Sequence, residues 1–174
     1  MDRIFFDAAL RTTFDSQTDR ETFRERWLGR YIRDEAQEDL AAYASIAVAD
    51  NGSVAVVAGY VVGSLLDPNC DPRFGDVTDF ADVPNLTAKY PAHLHINLVA
   101  SVRGHGVGQR LVRRIASQAY AFGAPGLHVV TGATSRNLLF YNRLGLRPVS
   151  PDDWKARGIV MLASRLPLRV GRPA

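Results

Sequence analysis

The chain has 174 residues, 47% of them hydrophobic and 22% charged, which suits one globular domain with a full core. No apolar run approaches the ~20 residues of a membrane span, and Met1 to Asp7 form no leader-like apolar stretch, so a cytoplasmic protein with no membrane role is expected. The formal net charge of +3 comes without the broad basic surface and exposed aromatics of a nucleic-acid binder, and the single cysteine, Cys70, excludes an internal disulfide and gives no metal cluster.

Ile4 to Leu10 reads as a first strand or a short helix. Arg20 to Tyr43 is expected to be helical, with Phe23, Trp27, Tyr31 and Ile32 at helical spacing and a break near Gly29 or after Gln37. Ala44 to Ala49 reads as strand. Asp50-Asn51-Gly52 is a hairpin turn signal, and Val54 to Leu66 is the returning strand. Gly59 and Gly63 interrupt it, which suggests a bulge or a close backbone approach. Asp67 to Pro91 is polar and proline-rich, with Asp67-Pro68 and Asp71-Pro72 as turn initiators. It is expected to be a long insertion with one short helix near Val83 to Lys89.

Ala92 to Ala100 is the expected central strand. Gln109 to Phe122 follows as a helix, with Leu111, Ile115 and Ala119 on its buried face and Gly123 as its stop. Leu127 to Thr131 is the next strand and Asn137 to Leu144 the next helix. Asn137 sits at the N-cap position, Gly145 at the stop, and Leu138, Tyr141 and Leu144 share a face. Ile159 to Leu166 is a last strand, reached through Pro148 to Gly158. The order implies an α/β architecture with a mixed sheet.

The junction between the central strand and its helix carries glycines at 104, 106 and 108. Glycine lets a ligand approach the main chain closely, and N–H groups gathered at a helix N-terminus bind anions. Two common phosphate loops fail on spacing. A dinucleotide G-x-G-x-x-G would need glycine at Gln109 or at Leu111, and no Gly-Lys-Ser/Thr tripeptide exists for a Walker A loop. Arg103-x-x-Gly106-x-Gly108 does fit one pattern, the pyrophosphate loop of the GNAT acetyltransferases, which this chain resembles.

Downstream, Asn137, Phe140-Tyr141 and Leu144-Gly145-Leu146 resemble the second GNAT signature, with Leu146 in place of its last aromatic. The resemblance implies a GNAT (acyl-CoA N-acyltransferase) fold, a mixed central sheet flanked by helices. Its cofactor would enter between the parallel strands Ala92 to Ala100 and Leu127 to Thr131. It implies acetyl-CoA held by Leu98, Val99, Arg103, Gly104, His105, Gly106, Val107, Gly108, Gln109, Asn137 and Tyr141, and no metal. The backbone N–H near Leu98 would polarise the acetyl carbonyl, and Tyr141 would serve the leaving thiolate. Between Val56 and Pro148, and above all over Tyr90-Pro91-Ala92-His93-Leu94-His95-Ile96-Asn97, the chain is similar to bacterial acetyltransferases related to the acetyltransferase-like C-terminal domain of O-GlcNAcase.

An alkylamine with pKa about 10.4 is almost wholly protonated at pH 7, so a base or a desolvating pocket would aid its attack. His93, His95 and Asn97 alternate along the central strand and share one face. His95 and then His93 are therefore the expected catalytic bases, with an apparent pKa of roughly 6–7.5; a structural imidazole is the alternative for each. Between Asp67 and Asp82, the aspartates at 67, 71, 76, 79 and 82 stand against Arg73 alone. They would either draw a cationic acceptor or serve turn chemistry. The expected activity is N-acetyl transfer to a small-molecule or protein amine by direct attack in a ternary complex, from a monomer or homodimer. The alternative is an acyl-CoA-binding or interaction module without catalysis.

Overall fold

A computed structural model describes residues 1–8, 13–32, 42–50 and 55–168. Its elements are α1 (Asp2–Ala8), α2 (Gln17–Arg24), α3 (Arg30–Ile32), β1 (Ala42–Asp50), β2 (Ala55–Ser64), α4 (Thr78–Ala81), α5 (Pro84–Lys89), β3 (Ala92–Leu98), α6 (Val107–Phe122), β4 (Gly126–Gly132), α7 (Asn137–Arg143), β5 (Arg147–Pro148), α8 (Asp152–Ala156) and β6 (Ile159–Arg165). The described strands form one mixed sheet in the order β1-β2-β3-β4-β6-β5. β3 and β4 run parallel, with Ala92 opposite Leu127 and His93 opposite His128. β4 and β6 are antiparallel over seven pairs, from Gly126↔Arg165 to Gly132↔Ile159. Two compact units result, Met1–Gly63 with His95–Val112, and Ser64–Leu94 with Arg113–Ala174.

In the first unit, α1 resolves the strand-or-helix alternative at the N-terminus. It delivers Ile4 and Phe5 to a core shared with Leu28, Tyr60 and Val62. Ser16 caps α2 by accepting the Asp19 N–H at 3.0 Å. The expected break near Gly29 is a π-helical turn, Glu25–Gly29, between α2 and α3. The helical expectation fails at Ala42 and Tyr43, which begin β1. Alanine and tyrosine there fit either state locally, and pairing in the sheet decides. The Asn51-Gly52 turn lies outside the described residues.

The second unit is built around β4 and β6, whose Leu127, Val129, Met161 and Leu162 are buried with Ile115, Ala119, Tyr141, Leu144 and Leu146. Gly123 and Gly145 end α6 and α7 as expected. The connector from Pro148 to Gly158 is more ordered than its sequence suggests. It contains α8, whose Trp154 is fully buried, and Pro148 pairs with Leu162 through β5. Asn137 is not the N-cap of α7. Arg136 takes that position, and the Ser135 hydroxyl accepts the Asn137 N–H at 3.1 Å.

The insertion is also more structured than expected. Beside α5 it holds α4 and two 3-10 turns, Pro68–Cys70 and Pro72–Phe74. Phe74, Val77, Phe80 and Val83 are buried, so every third residue serves a core although the average composition is polar. The polar side chains replace missing regular hydrogen bonds. Asp67 accepts the Asn69 N–H at 2.9 Å and Asp71 the Arg73 N–H at 3.0 Å. Asn69 Nδ2 donates to the Phe80 carbonyl at 3.0 Å and to Thr87 Oγ1 at 2.8 Å, tying the first turn to α4 and α5.

Asn69→Ala would leave the Phe80 carbonyl and the Thr87 hydroxyl short of this donor, a loss of about 1–3 kcal/mol. The melting temperature should fall by about 2–12 °C, read by circular dichroism, with retention of the fold.

Candidate functional site

The chain leaves β3 at Leu98 and must reverse into α6 within a few residues. A 3-10 turn, Ala100–Val102, begins the reversal, and Gly104 and Gly106 complete it at φ +80° and +76°. Other residues in that left-handed region cost roughly 1–2 kcal/mol each, which is why glycine recurs here. No atom lies within 4 Å of the Cβ that either glycine lacks, so it is backbone conformation and not crowding that selects glycine. The Arg110 N–H bonds the Gly106 carbonyl at 3.1 Å and opens the α6 ladder. The N–H groups of Val107, Gly108 and Gln109 precede it and have no intrahelical acceptor. The first turn of this 16-residue helix has no acidic residue, and its partial positive charge is unopposed there. The expected loop, Arg103 to Gln109, therefore ends on a helix N-terminus whose first N–H groups lack intrahelical acceptors.

Two of its side chains are turned inward on the loop itself. Arg103 Nε and Nη2 donate to the Leu98 carbonyl at 3.0 and 2.8 Å. His105 is exposed and its Nδ1 lies 2.9 Å from the Arg103 carbonyl. The Val99 N–H donates to the Ala58 carbonyl at 2.9 Å. A Cβ on Gly59 would fall 2.1 Å from Leu98 Cδ2, the close approach anticipated for this glycine. Sequence reasoning reached Leu98 and Val99 but missed Ala58, whose contribution is a carbonyl and leaves no side-chain signal.

The three polar residues of β3 have different surroundings. His93 is buried, with its ring 4.5 Å from Phe74, 5.8 Å from Phe80 and 5.4 Å from His128 between centroids. His95 is half-buried with Phe5 of α1 6.3 Å away. Desolvation pulls its pKa down to about 4, below the 6–7.5 expected. Asn97 donates to the Tyr60 hydroxyl at 2.7 Å. Burial pushes the Tyr60 phenol up to about 12 against the opposing pull of that hydrogen bond. Tyr60 escaped sequence reasoning because an aromatic in an apolar strand reads as core.

In the second unit, Tyr141 is buried on α7 beside Phe140, at 5.0 Å between centroids. Burial raises its pKa, so it stays a phenol at neutral pH and can donate a proton or a hydrogen bond. Among the described residues its hydroxyl has no hydrogen-bond partner. Asn137 is exposed at the start of α7. His128 is fully buried, with Nδ1 donating to the Tyr90 carbonyl and Nε2 without a hydrogen-bond partner among the described residues.

The insertion's aspartates are not opposed by Arg73 alone. Asp71 is buried and ion-paired with Arg73 at 2.6 Å. Arg157, after α8, pairs with Asp79 and, at 2.9 Å, with Asp82. Asp67 serves its turn. Turn and pairing chemistry thus accounts for Asp67, Asp71, Asp79 and Asp82. No group of three metal-ligating side chains occurs among the described residues.

No protein-family model matches the sequence. Solved structures do match in shape. SsHAT superposes with a TM-score of 0.59 at 22% identity, over 84% of this chain and 81% of that one. The PaiA N-acetyltransferase of Thermoplasma acidophilum, solved in complex with coenzyme A, gives 0.57 at 15% identity, over 86% and 79%. The GNAT domain of S. lividans PAT gives 0.56 at 15% identity, over 95% and 77%. This is the GNAT fold. In the GNAT fold of this chain, the glycine turn, β3 and α7 are the elements that carry the expected site residues. No helix is long and apolar enough to cross a membrane among the described residues.

Burial, opposed by the Tyr90 hydrogen bond and by Asp67, holds His128 down at about 4, against about 6.5 when unfolded. Between those values the unfolded chain binds a proton that the folded chain does not, so stability rises with pH through this window and is lost as pH falls through it. His95 acts in the same direction. Urea unfolding should show stability falling from pH 6.5 to 4 by about 2–5 kcal/mol for the two imidazoles together. A flat profile would mean that these imidazoles are as protonated folded as unfolded.

Proposed function

We propose that the chain is an acetyl-CoA-dependent N-acyltransferase that transfers acetyl directly to an amine in a ternary complex. One observation carries the reading. Gly104 and Gly106 hold a left-handed turn at the bare N-terminus of α6, on a fold shared with a protein solved with coenzyme A. In this reading Gly104 to Gln109 hold the pyrophosphate through backbone N–H groups. The Leu98 N–H polarises the acetyl carbonyl, with Val99 and Asn137 lining the cofactor. Tyr141, kept protonated by burial, gives a hydrogen bond or proton to the departing thiolate.

His95 is the acceptor-side base. Desolvation keeps it neutral above about pH 4, so it accepts the proton, directly or through water, only as attack on the acetyl carbonyl acidifies the amine nitrogen. His93, enclosed by Phe74, Phe80 and His128, is second to it. The Tyr90–Asn97 stretch supports a place near the bacterial relatives of the O-GlcNAcase C-terminal domain. The chain itself is read as cytoplasmic, monomeric or homodimeric, with no metal and no nucleic-acid partner.

A second reading, a coenzyme-binding module without turnover, has its own support. Asn97 is committed to Tyr60, and His93 is walled in by rings, which leaves β3 poor in accessible bases. Thiol release from acetyl-CoA across a panel of small amines and lysine peptides separates the two readings. Release above the uncatalysed rate with any amine favours the enzyme.

Coenzyme A and acetyl-CoA should raise the melting temperature of the wild type. Gly106→Ala should abolish that shift while costing only about 1 kcal/mol of fold stability, because the added methyl meets no atom. Full retention of the shift by this variant would remove the cradle from the reading.

Tyr141→Phe should lower kcat by roughly tenfold to a thousandfold with little change in coenzyme affinity. Stopped-flow detection of free thiol, with chemistry shown to limit turnover, checks it. An unchanged kcat would make Tyr141 a core aromatic.

A further inference from the structure

We propose that Arg103 is a positioning residue, whose guanidinium fixes the end of β3 against the acetyl group instead of ligating a phosphate. The inference rests on the coenzyme reading above and sharpens it. Its starting point is where the fork of Arg103 goes. Nε and Nη2 converge on one neutral oxygen, the Leu98 carbonyl, at 3.0 and 2.8 Å. A guanidinium is built to meet two oxygens of a carboxylate or phosphate side by side, and here that capacity is directed to the main chain.

The contact closes a small ring. Leu98 to Arg103 reverse through the Val102 N–H to Val99 carbonyl bond at 3.3 Å and the Arg103 N–H to Ala100 carbonyl bond at 3.2 Å. The Arg103 side chain then returns to the residue where the turn began. The peptide joining Leu98 to Val99 is held from both sides, its carbonyl by Arg103 and its N–H by the Ala58 carbonyl at 2.9 Å. The Leu98 side chain fills the space that Gly59 leaves by having no Cβ.

Three contacts thus fix ψ and the side chain of Leu98, and with them the residue whose own N–H faces the acetyl oxygen in the proposed reaction. A donor to a developing oxyanion acts only when it is held in place beforehand. The phosphate end has its own donors in the N–H groups that open α6, and its needs do not explain the inward turn of the guanidinium.

Calorimetric titration with two probes, coenzyme A and acetyl-CoA, separates the roles, because only the second has an acetyl group. The proteins are the wild type, Arg103→Gln, Arg103→Lys and Gly59→Ala. The last presses on Leu98 without touching the guanidinium. For a positioning residue, the Kd for acetyl-CoA rises at least fivefold more than that for coenzyme A in both Arg103 variants, and Gly59→Ala gives the same difference. Equal rises for the two probes would make Arg103 a phosphate ligand, the more so if Lys restores what Gln loses, and would overturn the proposal. No rise for either probe would overturn it as well. If one variant fails to fold, the remaining two give the same comparison. A wild type that binds neither probe removes the coenzyme reading and this inference together, whereas a wild type that binds both, with variants that do not discriminate, removes the inference alone.

Discussion

The reversal from β3 into α6 is the constraint on which the rest of the candidate site depends. A helix that starts immediately after a strand must expose its first N–H groups, and the connecting backbone must turn sharply enough to leave them uncovered. Gly104 and Gly106 meet this need with positive φ, at a position where two ordinary residues would together cost roughly 2–4 kcal/mol. The exposed end carries about half a positive charge, with Arg103 and Arg110 beside it and no carboxylate in the first turn. The same reversal ends the strand, and the Leu98 carbonyl that would have continued a ladder is taken by Arg103.

β3 itself shows how desolvation sorts chemically similar residues. His93, Asn97 and His95 share a strand face by parity, yet each meets a different neighbourhood. Aromatic rings surround His93, Phe5 lies against His95, and the Tyr60 hydroxyl takes the Asn97 amide. Desolvation holds the His95 imidazole neutral, because its charged form would lose water. The result is a strand whose polar groups are mostly held in hydrogen bonds or ring contacts, and of its two imidazoles only that of His95 is half-exposed.

The insertion between β2 and β3 follows a different logic. It has few long regular elements, so its order comes from side chains that replace main-chain bonds. Aspartates cap turns at close range, Asn69 reaches α4 and α5, and Arg157 holds two carboxylates of the α4 region. Exposed ion pairs of this kind add little stability singly. The buried Asp71–Arg73 pair and the buried Phe74 and Phe80 are what give the segment a core of its own.

What the sequence determined by itself is the local part. Gly104, Gly106, Gly123 and Gly145 mark places where backbone sterics alone demand glycine or a helix stop, and each lies where its spacing indicated. The α6 face, the α7 face with Tyr141, and the strands β3 and β4 were legible for the same reason, since periodicity is a property of a few neighbouring residues. Tertiary structure decided what distant partners settle. Ala42 and Tyr43 became strand because β2 pairs beside them. The polar insertion acquired a core because Asn69 found Phe80 and Thr87. The fate of His93 was set by Phe74, Phe80 and His128, none of them a sequence neighbour. Arg103 is legible only as a member of the loop, and it is the fold that directs its guanidinium to the Leu98 carbonyl. In each case a side chain's identity limits what it can do, but its solvent exposure and its partners come from parts of the chain that meet only when folded.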